Sequence, residues 1–275
     1  MELQALFAEP GALASLLAGA LPACRLEALR ITRCDLQEVI TGRRGKLFAL
    51  VQVDLHDEAG PRGTRRLVLQ HYPDAATSIE EARKVFRRLR RLSRERGVRQ
   101  VLRSWAAFVR EQRLLILPFP FDYRLPSLLD ACDPQAVAER FSAWDGLAAS
   151  VAQLTPVRYV PEKRCQIRYD LVAADGTPFV VFGKITAEPE GERVVERMRV
   201  LHHACASSGV VGTPEPVGYV ADWQMVVQRA VPGRTVYDLQ RDGGGSAAVY
   251  QQVGAALALL HRTHVPGTSA HAAPE

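Results

Sequence analysis

One feature constrains this chain above all others: the same succession of elements is written into it twice. Val51-Gln52-Val53-Asp54-Leu55 stands opposite Ile167-Arg168-Tyr169-Asp170-Leu171, and Val68-Leu69-Gln70-His71-Tyr72 stands opposite Val181-Phe182-Gly183-Lys184-Ile185. A helix follows each second strand. Arg113-Leu114-Leu115-Ile116-Leu117-Pro118 then stands opposite Trp223-Gln224-Met225-Val226-Val227-Gln228. A period this long is too great for a solenoid and implies a duplicated unit. In this alignment His71 occupies the place of Lys184. A neutral imidazole is a poor partner for an anion, so the first copy is expected to be structural.

The strands of the first copy are predicted over Asp35–Ile40, Leu47–Leu55 and Leu67–Tyr72, where apolar and polar residues alternate. His56–Gly63 is expected to be a loop. Thr77 or Ser78 is expected to cap a helix with Glu80 and Glu81 in its first turn, and Ala82, Val85, Phe86, Leu89 and Leu92 recur at helical spacing. Its other face carries Arg83, Lys84, Arg87, Arg88, Arg90 and Arg91. Without a recognised nucleic-acid motif that run is expected to be a solvated face rather than an RNA or DNA surface. Two strands, Trp105–Arg110 and Arg113–Pro118, close the copy.

Pro134–Leu154 is predicted to be an amphipathic connecting helix, with Val137, Phe141, Trp144, Leu147, Ala148 and Val151 on one side. Residues 12–29 are expected to hold one or two short helices broken near Pro22. Asp175-Gly176 supplies the positive φ of a hairpin turn in the second copy. The expected parts are a helical segment 1–30, a degenerate repeat 31–133, a connector 134–156, a second repeat 157–240 and a terminal helix with tail 241–275. The expected fold class is α+β, with two small antiparallel sheets each carrying a helix.

Composition adds bounds. A net charge of +5 over 275 residues suits an anionic ligand without requiring nucleic acid. The five cysteines form no C-x-x-C pair, which argues against a metal knuckle and suggests reduced thiols in the cytoplasm. No apolar run approaches the length of a membrane span, and His261 with His264 is expected to mark a helix end rather than a metal pair.

Chemistry concentrates between Tyr159 and Leu239. A lysine set in Phe179-Val180-Val181-Phe182-Gly183-Lys184-Ile185 needs an anionic partner to stay charged, unless it snorkels to water. Here the chain resembles the N-terminal lobe of the aminoglycoside phosphotransferase and choline kinase-like superfamily. The resemblance rests on Pro161-Glu162-Lys163-Arg164-Cys165, Val181–Lys184, Gly191-Glu192-Arg193 with Glu196, Thr213-Pro214-Glu215-Pro216, Met225–Thr235 and Ala255–His261. It covers about two fifths of the chain, from Pro156 to His264.

The resemblance implies ATP as cofactor, with Lys184 on its α- and β-phosphates and Glu196, or else Glu192, holding that lysine. It implies that Arg229 and Val231 offer main-chain groups to adenine, and that Pro161–Arg164 covers the phosphates with main-chain donors and Lys163 or Arg164. The parent enzyme would phosphorylate a hydroxyl of a small molecule. The family's His-Gly-Asp type loop and its metal-binding carboxylate are not found in the sequence. The chain is therefore expected to be a fragment that lacks the catalytic lobe, with Mg2+ bound only where that lobe is present. The alternative is a non-catalytic, pseudokinase-like binding or scaffold protein.

Overall fold

The computed structural model describes residues 10–20, 30–142, 144, 149–188, 190–208, 212–244 and 246–263. The expected break near Pro22, Leu147 and Ala148, His264 and the tail lie outside these residues. The fold is α+β, with two antiparallel five-stranded sheets. Chain contacts divide it into two units. The first takes in the chain up to Leu129 together with Val160–Lys163; the second takes Asp130–Tyr159 and everything from Arg164 onward.

In the first unit α1 (Pro10–Ala20) precedes β1 (Arg30–Thr41), β2 (Leu47–Asp57) and β3 (Gly60–His71). Then come α2 (Ala75–Glu95), α3 (Arg99–Trp105), β4 (Ala107–Val109) and β5 (Leu114–Pro118). The sheet order is β1-β2-β3-β5-β4. Every residue of β5 is buried. Leu114 and Ile116 join Leu13, Leu17, Val51, Val53 and Leu69 on one face, whereas Leu115 and Leu117 join Ala82, Val85 and Leu89 of α2 on the other. Alternation with period two is what lets a single strand feed two cores.

The second unit holds α5 (Pro134–Ser142), β6 (Ala149–Val160), β7 (Arg164–Ala173), β8 (Pro178–Thr186) and α6 (Gly191–Ser208). It continues with β9 (Pro216–Val220), β10 (Met225–Arg229), α7 (Val236–Arg241) and α8 (Ala247–Arg262). The short α4 (Leu128–Ala131) lies where the chain leaves the first unit. The sheet order, β6-β7-β8-β10-β9, repeats that of the first unit strand for strand. Tyr169, 0 % exposed, packs edge-on against Phe141 and donates its hydroxyl to the Ala131 carbonyl at 2.9 Å.

Three sequence expectations are corrected. The connecting helix stops at Ser142, and Ala149–Val160 is the edge strand β6, not helix. Pro156 inside it is tolerable because an edge strand has one side free of ladder bonds. His56–Gly63 is no long loop: β2 and β3 run on to a tight turn, with Asp57 paired to Gly60. The helix cap is Asp74, whose carboxylate accepts from the Thr77 N–H, so α2 starts before Thr77 and Glu81 lies beyond its first turn.

Candidate functional site

Strand pairing fixes which residues of the two units correspond. In the first unit His71 pairs with Leu114, the opening residue of β5; in the second, Ile185 pairs with Met225, the opening residue of β10. The next residue repeats the match, since the Tyr72 N–H reaches the Arg113 carbonyl at 3.1 Å and the Thr186 N–H reaches the Gln224 carbonyl at 3.3 Å. Arg113 and Gln224 also share a positive φ, 50° and 49°. The counterpart of Lys184 is therefore Gln70, and His71 corresponds to Ile185. The sequence alignment was out by one residue here, and a slip of one turns a side chain to the opposite face of its sheet.

Lys184 stands on β8 between Gln166 of β7 and Val226 of β10, with Tyr219 of β9 next in the row. Val181, Gly183 and Ile185 are buried, while Lys184 on the opposite face is exposed. At Gly183 the backbone is pressed so closely that an added Cβ would lie 2.5 Å from Met225 Sδ and 2.9 Å from Tyr169 Cε2. At the N-terminus of α6 the backbone of Gly191 lies against the Tyr219 ring, where a Cβ would come within 1.9 Å. Burial, and then the charge of Glu192, push the Tyr219 hydroxyl above its ordinary pKa. Lys184 thus shares its sheet face with the start of α6.

The expected ion pair is not made. Glu192 and Glu196 are exposed, and Lys184 has no ion-pair partner among the described residues. Nor is the expected main-chain recognition fully open. The Arg229 N–H is bound to the Glu215 carbonyl at 2.9 Å, and its guanidinium pairs with the Glu215 carboxylate at 3.2 Å and lies over the Phe179 ring. Val231, 50 % exposed, has no hydrogen bond among the described residues. Lys163 and Arg164 are exposed.

The main-chain donors expected over the phosphates are also engaged. The Glu162 N–H donates to Asp122 Oδ2 at 2.8 Å, and the Lys163 N–H closes a turn on the Val160 carbonyl at 3.1 Å. Pro161 second in that turn and a φ of +62° at Glu162 are the marks of a type II turn.

A charge cluster that the sequence did not reveal lies in the first unit. Lys46 Nζ is 3.5 Å from Glu162 Oε1 and 3.7 Å from Glu81 Oε2, and 5.3 Å from the centre of the Tyr72 ring. The three charged side chains are only 16 to 24 % exposed. Gln70, at the position corresponding to Lys184, donates to the same Glu162 oxygen at 3.2 Å. Burial, and then Glu162 and Glu81, raise the pKa of both Tyr72 and Tyr123. Lys46 and Gln70 meet Glu162, and Lys46 and Lys84 meet Glu81, so the cluster is suited to holding the Val160–Lys163 turn rather than to catalysis. No local pattern links Lys46 to a glutamate 116 residues away.

The described residues contain no group of three or more His, Cys, Asp and Glu arranged to hold a metal, and none of their helices is long and apolar enough to cross a membrane. No protein-family model, curated protein or solved structure matches this chain.

Proposed function

We propose that the second unit is the nucleotide-binding part of an aminoglycoside phosphotransferase-like kinase, with Lys184 as the contact to the phosphates of ATP. The observation that supports this is the state of Lys184: an exposed ammonium on β8, on the sheet face from which α6 begins, with no carboxylate partner among the described residues. A phosphate is a better counter-ion for such a group than water, and it costs little to form because no protein ion pair has to break. Val231, whose main-chain groups have no hydrogen-bond partner among the described residues just past β10, supports an adenine contact there. The Arg229 N–H, already bonded, does not. When bound, ATP would supply the phosphoryl group, and the acceptor would be a hydroxyl of a small molecule.

Calorimetric titration with a non-hydrolysable ATP analogue tests the reading. Binding should be measurable and should weaken about tenfold or more in Lys184→Ala, the scale of one lost charge-assisted contact. Binding that is absent, or indifferent to Lys184, would sink it. The second reading is a non-catalytic scaffold. It is supported by Glu162, which bonds Gln70 at the position corresponding to Lys184 and so fills that place in the first unit.

A further inference from the structure

The first unit carries a second feature that owes nothing to the nucleotide reading. Beside α2 and β4 lies an open groove of about 280 Å³, lined by Ile79, Ala82, Arg83, Phe86, Phe108 and Arg110. Its floor is hydrocarbon and aromatic, and two guanidinium groups stand on its rim. Arg83 and Arg110 are exposed and have no ion-pair partner among the described residues. Arg83 also begins a row. Arg87, Arg90 and Arg94 follow at steps of four, three and four, which keeps them on one side of the helix. All three are exposed and lack an acidic partner among the described residues.

The other cations of α2 differ. Lys84 pairs with Glu81 at 3.4 Å, Arg91 with Glu95 at 4.0 Å, and Arg88 lies over the Tyr123 ring. Cations without an ion-pair partner among the described residues are therefore concentrated on the side of the helix that leads into the groove.

We infer that this groove docks an acidic peptide segment that carries an apolar anchor side chain. The floor between Phe86 and Phe108 takes the anchor, Arg83 and Arg110 take carboxylates on either side of it, and the row to Arg94 draws the rest of the acidic segment along α2. Each part of the surface has its counterpart in such a ligand. A nucleic-acid backbone would satisfy the arginines but leave the apolar floor without a partner. A membrane would require apolar groups that protrude, whereas these line a concavity.

Fluorescence anisotropy with a labelled peptide, Asp-Glu-Leu-Phe-Glu-Asp, provides the test, alongside a peptide of equal charge with Ser-Ser in place of Leu-Phe. The full chain should bind the first peptide saturably and the second about tenfold more weakly, because the second offers no apolar area to bury. Reversing both rim charges, Arg83→Glu with Arg110→Glu, should weaken binding by about tenfold. The same change in net charge on exposed residues of α6, Arg193→Glu with Arg199→Glu, should alter it by less than about twofold. Circular dichroism confirms that each variant folds. The inference is overturned by any of four results: no saturable binding, equal binding of the two peptides, equal losses from the two double variants, or tighter binding to oligothymidylate or to phosphatidylglycerol vesicles.

Discussion

The two sheets share one strand order yet treat charge in opposite ways. In the first unit, the position corresponding to Lys184 is Gln70, 2 % exposed and bonded to Glu162, and the nearby Lys46 is enclosed by Glu81 and Glu162. In the second, Lys184 faces water and its candidate partners Glu192 and Glu196 do the same. A repeat of topology therefore does not carry a repeat of chemistry. The same sheet position can close on a carboxylate from the chain, as at Gln70, or stay open to water, as at Lys184.

The largest expected effect follows from that contrast. Lys46→Ala leaves two carboxylates close together with little water to screen them, and should cost about 3 kcal/mol, the lower end for breaking a buried pair because these groups keep some exposure. Lys184→Ala should change stability by less than about 0.5 kcal/mol, as an exposed side chain with no ion-pair partner among the described residues. Urea unfolding followed by tryptophan fluorescence measures both. Similar losses in the two variants would remove the distinction between a closed and an open site.

Next in size is a test of the layer beneath the lysine. Register places Leu69 of the first unit where the second has Gly183. Leu69 fills its own core, but Gly183 leaves room that the Met225 and Tyr169 side chains take up from neighbouring strands. Gly183→Ala should therefore cost about 2 kcal/mol by overpacking. Since Lys184 is the adjacent residue, the variant should also weaken ATP-analogue binding if that lysine is used. A neutral Gly183→Ala would mean that Met225 moves aside freely.

Much of this fold was legible because its signals are local. Alternation in Leu47–Leu55 and the apolar run Phe179–Ile185 marked strands, Asp175-Gly176 marked the hairpin between β7 and β8, and Ala82, Val85 and Leu89 marked the buried side of α2. The duplication was legible as an order of elements. Its register was not, because a pattern of period two looks alike when shifted by two and merely inverts when shifted by one. Hence Lys184 was set against His71 instead of Gln70. The edge strand β6 was taken for helix because Val137, Phe141 and Trp144 recur at helical spacing just before it, and an edge strand with a half-wet face alternates weakly. At the candidate site, the lysine was legible but its environment was not. Whether Glu196 meets Lys184, or Glu162 meets Lys46, depends on contacts between distant segments that no short stretch encodes.

The smallest expected effect concerns charge that lies fully on the wet side of the contrast. On β7 the Arg168 guanidinium meets the Asp170 carboxylate at 2.6 Å, with the two side chains 46 and 27 % exposed. The hydrogen bond from Arg168 holds the Asp170 pKa below its usual value. A carboxylate whose pKa is lower in the folded than in the unfolded chain adds stability above the unfolded value, near 4, and loses that contribution as pH falls through the folded value. Asp170→Asn should therefore cost about 0.5 kcal/mol at neutral pH and low salt, and less in strong salt or acid. Urea titrations at two salt concentrations measure the difference. In Glu162→Gln, by contrast, the loss should persist in salt, because Lys46 and Gln70 meet that carboxylate where little water reaches it. Equal salt sensitivity in the two variants would mean that the cluster around Lys46 is as well hydrated as an exposed pair, and the difference between the units would reduce to one of position.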